Sequence, residues 1–376
     1  MIDKDTLLKK LEALRSEPVQ EFVRKDEEWN DYTEYVDAEK ICKKPVVSCC
    51  VFTYNQEKYI RECLDSIVSQ KADFDYEVLV CEDCSTDGTL AICREFQTRY
   101  PEKVRIIHAN RNYYRGTLNF RRGYELARGE YIAICEGDDY WCNDAKIQLQ
   151  YNAAREKNAV AVFTDHKRLL GGRLEKDGCF KSQNLYTRIN SFTKDDYIAE
   201  RFDINRFDGR FFATATILVK KEVLVKIKNS DFGRRMFGLG DLQIRSGAPR
   251  YGNIVFLPMV TAVYRLGVGV STVSPKAQSI DFVVDCALVN VSLKWDVMTD
   301  CMRALMMQCY VTGLLLRTHA TKSVKKQVRK LSLSLLRNLP LTFLPRFVVL
   351  YILNYFPDGY VVWRWLYQIR KSIRNA

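Results

Sequence analysis

Long hydrophobic runs are missing from this chain. The longest, Phe347–Leu353, holds 7 residues, far below the ~18 that a membrane-spanning helix needs. Histidine is scarce as well, with 3 in 376 residues. Cys81 and Cys84 form a C-x-x-C, but no second C-x-x-C and no H-x-x-x-H completes a zinc set. No G-x-G-x-x-G follows the first predicted strand and no G-x-x-x-x-G-K-[ST] occurs, which removes dinucleotide-binding and P-loop readings. The first twenty residues show neither an apolar h-region nor a small-residue cleavage site, which predicts a cytoplasmic protein. The 13 cysteines are odd in number and sit in apolar runs such as Val46–Phe52, so they read as reduced, buried thiols.

What is present is globular: 47% hydrophobic and 28% charged residues. The formal charge is +12, and it is uneven. Residues 1–44 carry 9 basic against 12 acidic side chains, residues 45–314 carry 37 against 33, and residues 315–376 carry 12 against 1. An excess confined to the last sixth of the chain points to an anionic surface rather than to a basic working cleft.

Hydrophobic period divides the chain further. Leu7, Leu8, Leu11 and Leu14 mark a short N-terminal helix, and residues 17–44 are acidic and aromatic without period. From Pro45 the pattern alternates. Strand-like runs Val46–Phe52, Glu77–Cys81, Val104–Ile107 and Tyr131–Cys135 are separated by helical stretches 56–70, 90–100 and 116–127. That order predicts an α/β fold with a mostly parallel sheet flanked by helices and ligand groups gathered at the strand C-terminal ends. Beyond residue 150 the rhythm loosens, with further strands at 160–163, 214–219 and 254–264, and from about 280 the pattern is helical. The expected units are a helical, acidic extension (1–44), a catalytic domain (45–275, its halves meeting near 150) and a basic helical region (276–376).

Three predicted strands run straight into polar clusters: Thr53-Tyr54-Asn55-Gln56-Glu57, Glu82 to Thr89, and Glu136-Gly137-Asp138-Asp139-Tyr140-Trp141. A parallel sheet sets these ends side by side, so Glu82, Asp83, Glu136, Asp138 and Asp139 crowd one crevice. Carboxylates at that density repel unless a cation or donors compensate. A divalent ion bridging to phosphates resolves the conflict, because Mg²⁺ uses one or two carboxylates plus phosphate and water.

With these residues the chain resembles the family 2 glycosyltransferases of the GT-A fold, bacterial surface-polysaccharide type. T-Y-N-x-E stands at 53–57, the D-D-x-S-x-D-x-T run at 82–89 with Glu82 first, and A-R-G-E-Y-I at 127–132 leads into Glu136-Gly137-Asp138 in place of D-x-D. The resemblance implies an inverting transfer of a sugar from a nucleotide-diphosphate donor, a UDP-sugar by preference, to a hydroxyl of a saccharide or lipid-linked acceptor. It implies that Asp83 binds the base, that Thr53, Tyr54 and Asn55 line the nucleoside pocket, and that Asp138 holds Mg²⁺ or Mn²⁺. Glu136 would reach a ribose hydroxyl or a metal-bound water. Glu57 has two readings, site residue or helix cap, as does Asp139, donor-sugar contact or cap of the helix from 143. Asp87 reads as a helix cap. The general base is Asp241 in G-L-G-D-L, ahead of V-T-A-V-Y-R at 260–265. The family's helix arginine falls on Phe120, which leaves Arg115, Arg121 and Arg122 as alternatives for a phosphate contact. His108 and His166 read as isolated.

Two other functions share some of these features. A nucleotidyltransferase would show a Gly-rich basic loop after the first strand, where this chain has Thr-Tyr-Asn. A catalytically degenerate donor-binding scaffold would tolerate Glu82 and Glu136. The basic helical face at 322–337 and the aromatics beyond it predict peripheral contact of residues 315–376 with an anionic membrane surface, at the inner face of the cell membrane. Nucleic acid is the weaker fit for that tail.

Overall fold

The computed structural model describes residues 3–15, 18, 20–113, 116–179, 191–192, 213–230, 233–235, 240–268 and 280–294, with Lys326, Gln327 and Lys330. The chain forms two compact units, one of residues 21–197 and 210–273, the other of residues 1–20, 198–209 and 274–376. The predicted tail contact at 315–376, including the run Phe347–Leu353, lies outside the described residues apart from those three.

The larger unit is built on one sheet. Its first half follows the predicted alternation: β2 (Val47–Thr53), α3 (Ile60–Val68), β3 (Tyr76–Glu82), α4 (Thr89–Arg99), β4 (Val104–Ala109), α5 (Thr117–Leu126) and β5 (Tyr131–Glu136). These strands pair parallel in the order β4-β3-β2-β5. Every residue of β2 and β3 is buried, as expected where helices cover both faces of a parallel sheet. Two apolar layers result. Val47, Cys49 and Val51 pack with Ile60, Leu64 and Ile67 on one face, while Cys50, Phe52 and Cys81 pack with Tyr124 and Ala127 on the other.

The second half extends the sheet. After β6 (Tyr140–Trp141) and α6 (Lys146–Glu156) come β7 (Ala159–Leu170), β8 (Arg173–Leu174), β9 (Ser191–Phe192), β10 (Leu218–Lys220) and β11 (Asn253–Leu266). Strand β10 runs antiparallel between β5 and β7, and β11 runs parallel beside β7. Pro258 falls where the β7–β11 register shifts, between Leu257 and Val260, a position that tolerates a residue without an N–H.

Two elements lie in the stretch that lacks sequence period. Helix α2 (Asp26–Trp29) and strand β1 (Tyr32–Tyr35) precede the alternation, and β1 pairs antiparallel with β4 at the sheet edge. In the smaller unit, α1 (Lys4–Glu12) is capped by Asp3, whose side chain accepts from Thr6 N at 2.9 Å. It buries Leu7 and Leu11 and contacts the helix Ile280–Lys294, where Arg15 pairs with Asp285 at 2.9 Å.

Candidate functional site

Sheet order brings the three polar clusters together. β2 lies between β3 and β5, with Thr53 opposite Glu82 and Phe52 opposite Glu136. The backbone extends the pairing one residue further on each side: Asp83 N donates to Thr53 O at 3.0 Å, and Gly137 N to Phe52 O at 2.8 Å.

The loops after β2 and β3 are clasped to one another. Asn55 N donates to Ser85 Oγ at 2.9 Å, and Thr86 N donates to Asn55 Oδ1 at 2.8 Å. Gly88 N donates to Glu57 Oε2 at 2.8 Å, and Glu57 N to Asp87 Oδ2 at 3.2 Å. Asn55 and Cys84 adopt left-handed backbone, with φ of 52° and 62°, a conformation that needs outside support in a non-glycine residue. The side-chain oxygens of Asn55 and Glu57 thus shape this loop pair. Glu57 serves the start of α4, not that of the first helix. Asp87 also supports the start of α4, accepting from Thr89 N at 3.0 Å. Thr53 is buried and bonds to Gln56, whereas Tyr54 stands out at 37% exposure.

Glu82 and Asp83 diverge in role. Glu82 is fully buried; its Oε1 accepts from Ser85 N at 2.7 Å, and its Oε2 meets His108 Nδ1 at 2.5 Å. His108 is therefore not isolated, since β4 carries it to the register position opposite Glu82. Asp83 has one oxygen engaged: Asn112 Nδ2 donates to Oδ2 at 2.6 Å. Its other oxygen, Oδ1, is buried without a hydrogen-bond partner among the described residues. Burial, then the charge of Glu82, pushes the Asp83 carboxyl up to about 7 against the pull of Arg122. A buried acceptor left open in this way is an invitation to a ligand donor.

The acidic turn after β5 is equally constrained. A side chain on Gly137 would drive Cβ into Gln56 Oε1 and place it 2.8 Å from Thr53 Oγ1, so only glycine fits beneath the first loop. Asp138 and Asp139 are buried, and burial raises both carboxyls above the ordinary range, Asp139 the further because Asp138 and Glu136 add their charges. Asp139 Oδ1 accepts from Arg265 N at 2.8 Å, and its Oδ2 is buried and unpartnered among the described residues. It does not cap the following helix, where Asn143 Oδ1 instead accepts from Ala145 N. Glu136 is half-buried at the strand end.

Arg265 is the residue that motif spacing left without a role. It lies at the end of β11; its guanidinium donates to Asp138 O at 2.5 Å and to the Glu62 carboxylate, and it sits between the rings of Tyr59 and Tyr140 at 5.1 and 4.8 Å. It ties the acidic turn to the end of β11. Its position after V-x-A-V-Y was visible in the sequence, but its partners are 126 and 203 residues away in the chain.

The arginines on α5 are held by backbone carbonyls, with Arg122 Nη1 buried and unpartnered among the described residues. Arg121 donates to Lys228 O and Gly233 O, and Arg122 donates to Trp29 O, Glu28 O and Asp31 O. Phe120 stacks on Phe52 at 4.0 Å. Arg115 lies outside the described residues. Asp241 is the second residue of the helix Gly240–Gly247; its side chain lies outside the described residues. No group of three or more His, Cys, Asp or Glu side chains in metal-holding geometry occurs among the described residues.

Residues 48–214 match the family model described as "Glycosyl transferase family 2". The dTDP-rhamnosyl transferase RfbG of Shigella flexneri is 31% identical over 190 residues, 47% of this chain and 55% of that protein. An uncharacterised Mycobacterium bovis protein is 44% identical over 105 residues, 28% of this chain and 30% of its own. The chain thus spans 30% to 55% of the length of these relatives. A crystal structure of S. aureus TarS 1–349 in complex with UDP-GlcNAc superposes with a TM-score of 0.57 at 20% identity, covering 84% of this chain and 89% of that one.

Proposed function

We propose that this chain, which belongs to the family 2 glycosyltransferases of GT-A fold through residues 48–214, is an inverting enzyme. It moves a sugar from a nucleotide-diphosphate donor to a hydroxyl of a saccharide or lipid-linked acceptor. The observation that carries the reading is a pair of buried carboxylate oxygens without partners among the described residues, Asp83 Oδ1 and Asp139 Oδ2, held on either side of β2 at one sheet edge. One suits the N–H of a base and the other a donor-sugar hydroxyl or a cation. A UDP-sugar is the preferred donor, in line with the UDP-GlcNAc bound by TarS; a dTDP-sugar, in line with the name of RfbG, is the competing choice.

A divalent cation fits this edge. Asp138 and Asp139 are buried side by side with raised carboxyls, and a nearby dication would restore both to the ionised form. Asp138 is the assigned ligand to Mg²⁺ or Mn²⁺, with Glu136 at a metal-bound water or the ribose and Asp139 at the donor sugar. When bound, the ion neutralises charge on the departing nucleotide diphosphate. Thr53, Tyr54 and Asn55 line the nucleoside side, with Glu57 bracing their loop. The acceptor hydroxyl attacks the anomeric carbon as the bond to the diphosphate breaks, and Asp241 takes the hydroxyl proton as the new bond forms.

A membrane-peripheral placement through residues 315–376 belongs to the same reading, and suits a lipid-linked acceptor. The test is a panel of UDP- and dTDP-sugars with Mn²⁺ and candidate acceptors, following nucleotide-diphosphate release by wild type and Asp241→Asn. Release by wild type, reduced about a thousandfold in the variant, is the expected result. Silence with every donor refutes the enzyme, and equal release refutes the base.

A further inference from the structure

Six large hydrophobic side chains stand exposed among the described residues, and three of them lie at or near one tip: Leu170 at 61%, Leu174 at 45% and Val268 at 36%. Leu170 and Leu174 flank the turn between β7 and β8, where Leu169 faces Leu174 and Leu170 faces Arg173. Leu266 of β11 lies opposite Leu170, and Val268 follows two residues on, after Gly267. Gly171 and Gly172 make the turn with φ of 56° and 81°, and nothing stands within 4 Å of where their side chains would be.

This tip is placed by the sheet. Leu218 of β10 pairs with Ala133 of β5 on one side and Val162 of β7 on the other. β5 ends three residues on, at Glu136, level with Asp165, while β7 continues five residues further to Leu170. The acidic turn reaches the same level, since Asp139 accepts from Arg265 N and Arg265 lies opposite Leu169, so the tip at Leu170 stands about one residue past it on the same edge of the sheet. The charge around it leans basic. Residues 167–177 hold Lys167, Arg168, Arg173 and Lys176 against Glu175 and Asp177, and Glu175 is bound by Arg168 at 2.5 Å. Arg173 and Lys176 are exposed.

We propose that the β7–β8 turn, with Val268 beside it, is a membrane-contacting knob that dips into the headgroup layer of an anionic bilayer and holds the acidic edge facing it. Protruding leucines ringed by basic side chains combine the two terms that bind proteins to such surfaces, apolar insertion and attraction to anionic lipid. Three side chains on a narrow turn are too little for a stable protein interface, which needs on the order of 1,000 Å². The inference deepens the lipid-linked acceptor reading and rests on it for its purpose, while its test is independent of catalysis.

The basic tail is proposed above to meet the same surface, so the experiment reads the knob locally. Full-length Leu170→Trp is mixed with vesicles of phosphatidylcholine, with or without phosphatidylglycerol, carrying brominated acyl chains. Quenching beyond that of wild type, stronger with phosphatidylglycerol, is expected. Sedimentation of the full-length Leu170→Ser, Leu174→Ser, Val268→Ser variant should show vesicle affinity reduced at least about tenfold, with donor turnover on a soluble acceptor unchanged. No extra quenching, or wild-type sedimentation by the triple variant, overturns the knob. A dimer that becomes monomeric in that variant, with vesicle binding intact, overturns it in favour of a second copy of the chain. Absence of turnover by the wild type refutes the glycosyltransferase reading and leaves the vesicle result standing.

Discussion

Replacing Asp83 with asparagine should stabilise the protein at alkaline pH while disabling donor binding. The carboxyl titrates near its ordinary value of 3.8 when unfolded and at about 7 when folded, chiefly because it is buried. A raised folded value favours the protonated form, so its stabilising contribution is complete below about pH 4 and is lost as pH climbs through 7. A shift of this size is worth up to about 4 kcal/mol. In Asp83→Asn the new side chain would stay neutral and retain the Asn112 contact, but its amide would meet the unpartnered Oδ1 position at a cost of roughly 1–3 kcal/mol. The net gain at pH 8 is about 2 kcal/mol, or some 4–8 °C in melting temperature, and it vanishes at pH 5. Donor binding should move the opposite way. A base N–H needs the carboxylate, and a group titrating at 7 is about 10% ionised at pH 6 and about 90% at pH 8. Wild-type affinity for an intact UDP-sugar should therefore rise nearly tenfold over that interval, and the variant should bind weakly with no pH dependence. Thermal scans at both pH values and calorimetric titration check this. A variant no more stable than wild type at pH 8, or a flat wild-type binding profile, refutes the assignment of the open oxygen to the ligand.

Arg265→Met should lower kcat about a hundredfold and raise the Mn²⁺ concentration for half activity, because the acidic turn loses its carbonyl contact; Arg265→Lys, able to make one such bond, should restore part of both, whereas a variant that merely melts earlier with unchanged metal response argues against positioning. Gly137→Ala should cost about 1–3 kcal/mol and most of the turnover, since its methyl collides with Gln56 and Thr53; denaturant melts and kinetics measure each. Chelation by EDTA should abolish release, Mn²⁺ should restore it, and Asp138→Asn should fail to respond.

The central strands were legible because burial on both faces leaves nearly continuous apolar runs, and the helices between them keep a clean period. Strand β1 was not, since four residues of an edge strand, Tyr32–Tyr35, show too short an alternation to register. β7 announces itself at 160–163 and then continues through His166, Lys167 and Arg168, where polar side chains disguise a strand that β11 pairs along its whole length. At the site, the acidic residues were visible as strand-end clusters, yet their division of labour was not. Glu82 and Asp83 look alike in sequence; a histidine on the next strand and an asparagine 29 residues on separate a braced carboxylate from an open one. Arg265 shows the same limit, for its work is done across β-strand order and not along the chain.

Arg122 bears on where this protein can be cut. The residues matched to the family begin at 48, and likeness alone would suggest trimming everything before them. Yet the Arg122 guanidinium, wholly buried, is received by the carbonyls of Glu28, Trp29 and Asp31. Trimming at 45 would take those three acceptors from the guanidinium and expose the free edge of β4 to other chains. A piece that keeps the partners of that guanidinium starts at or before Glu28, some twenty residues ahead of the matched family sequence.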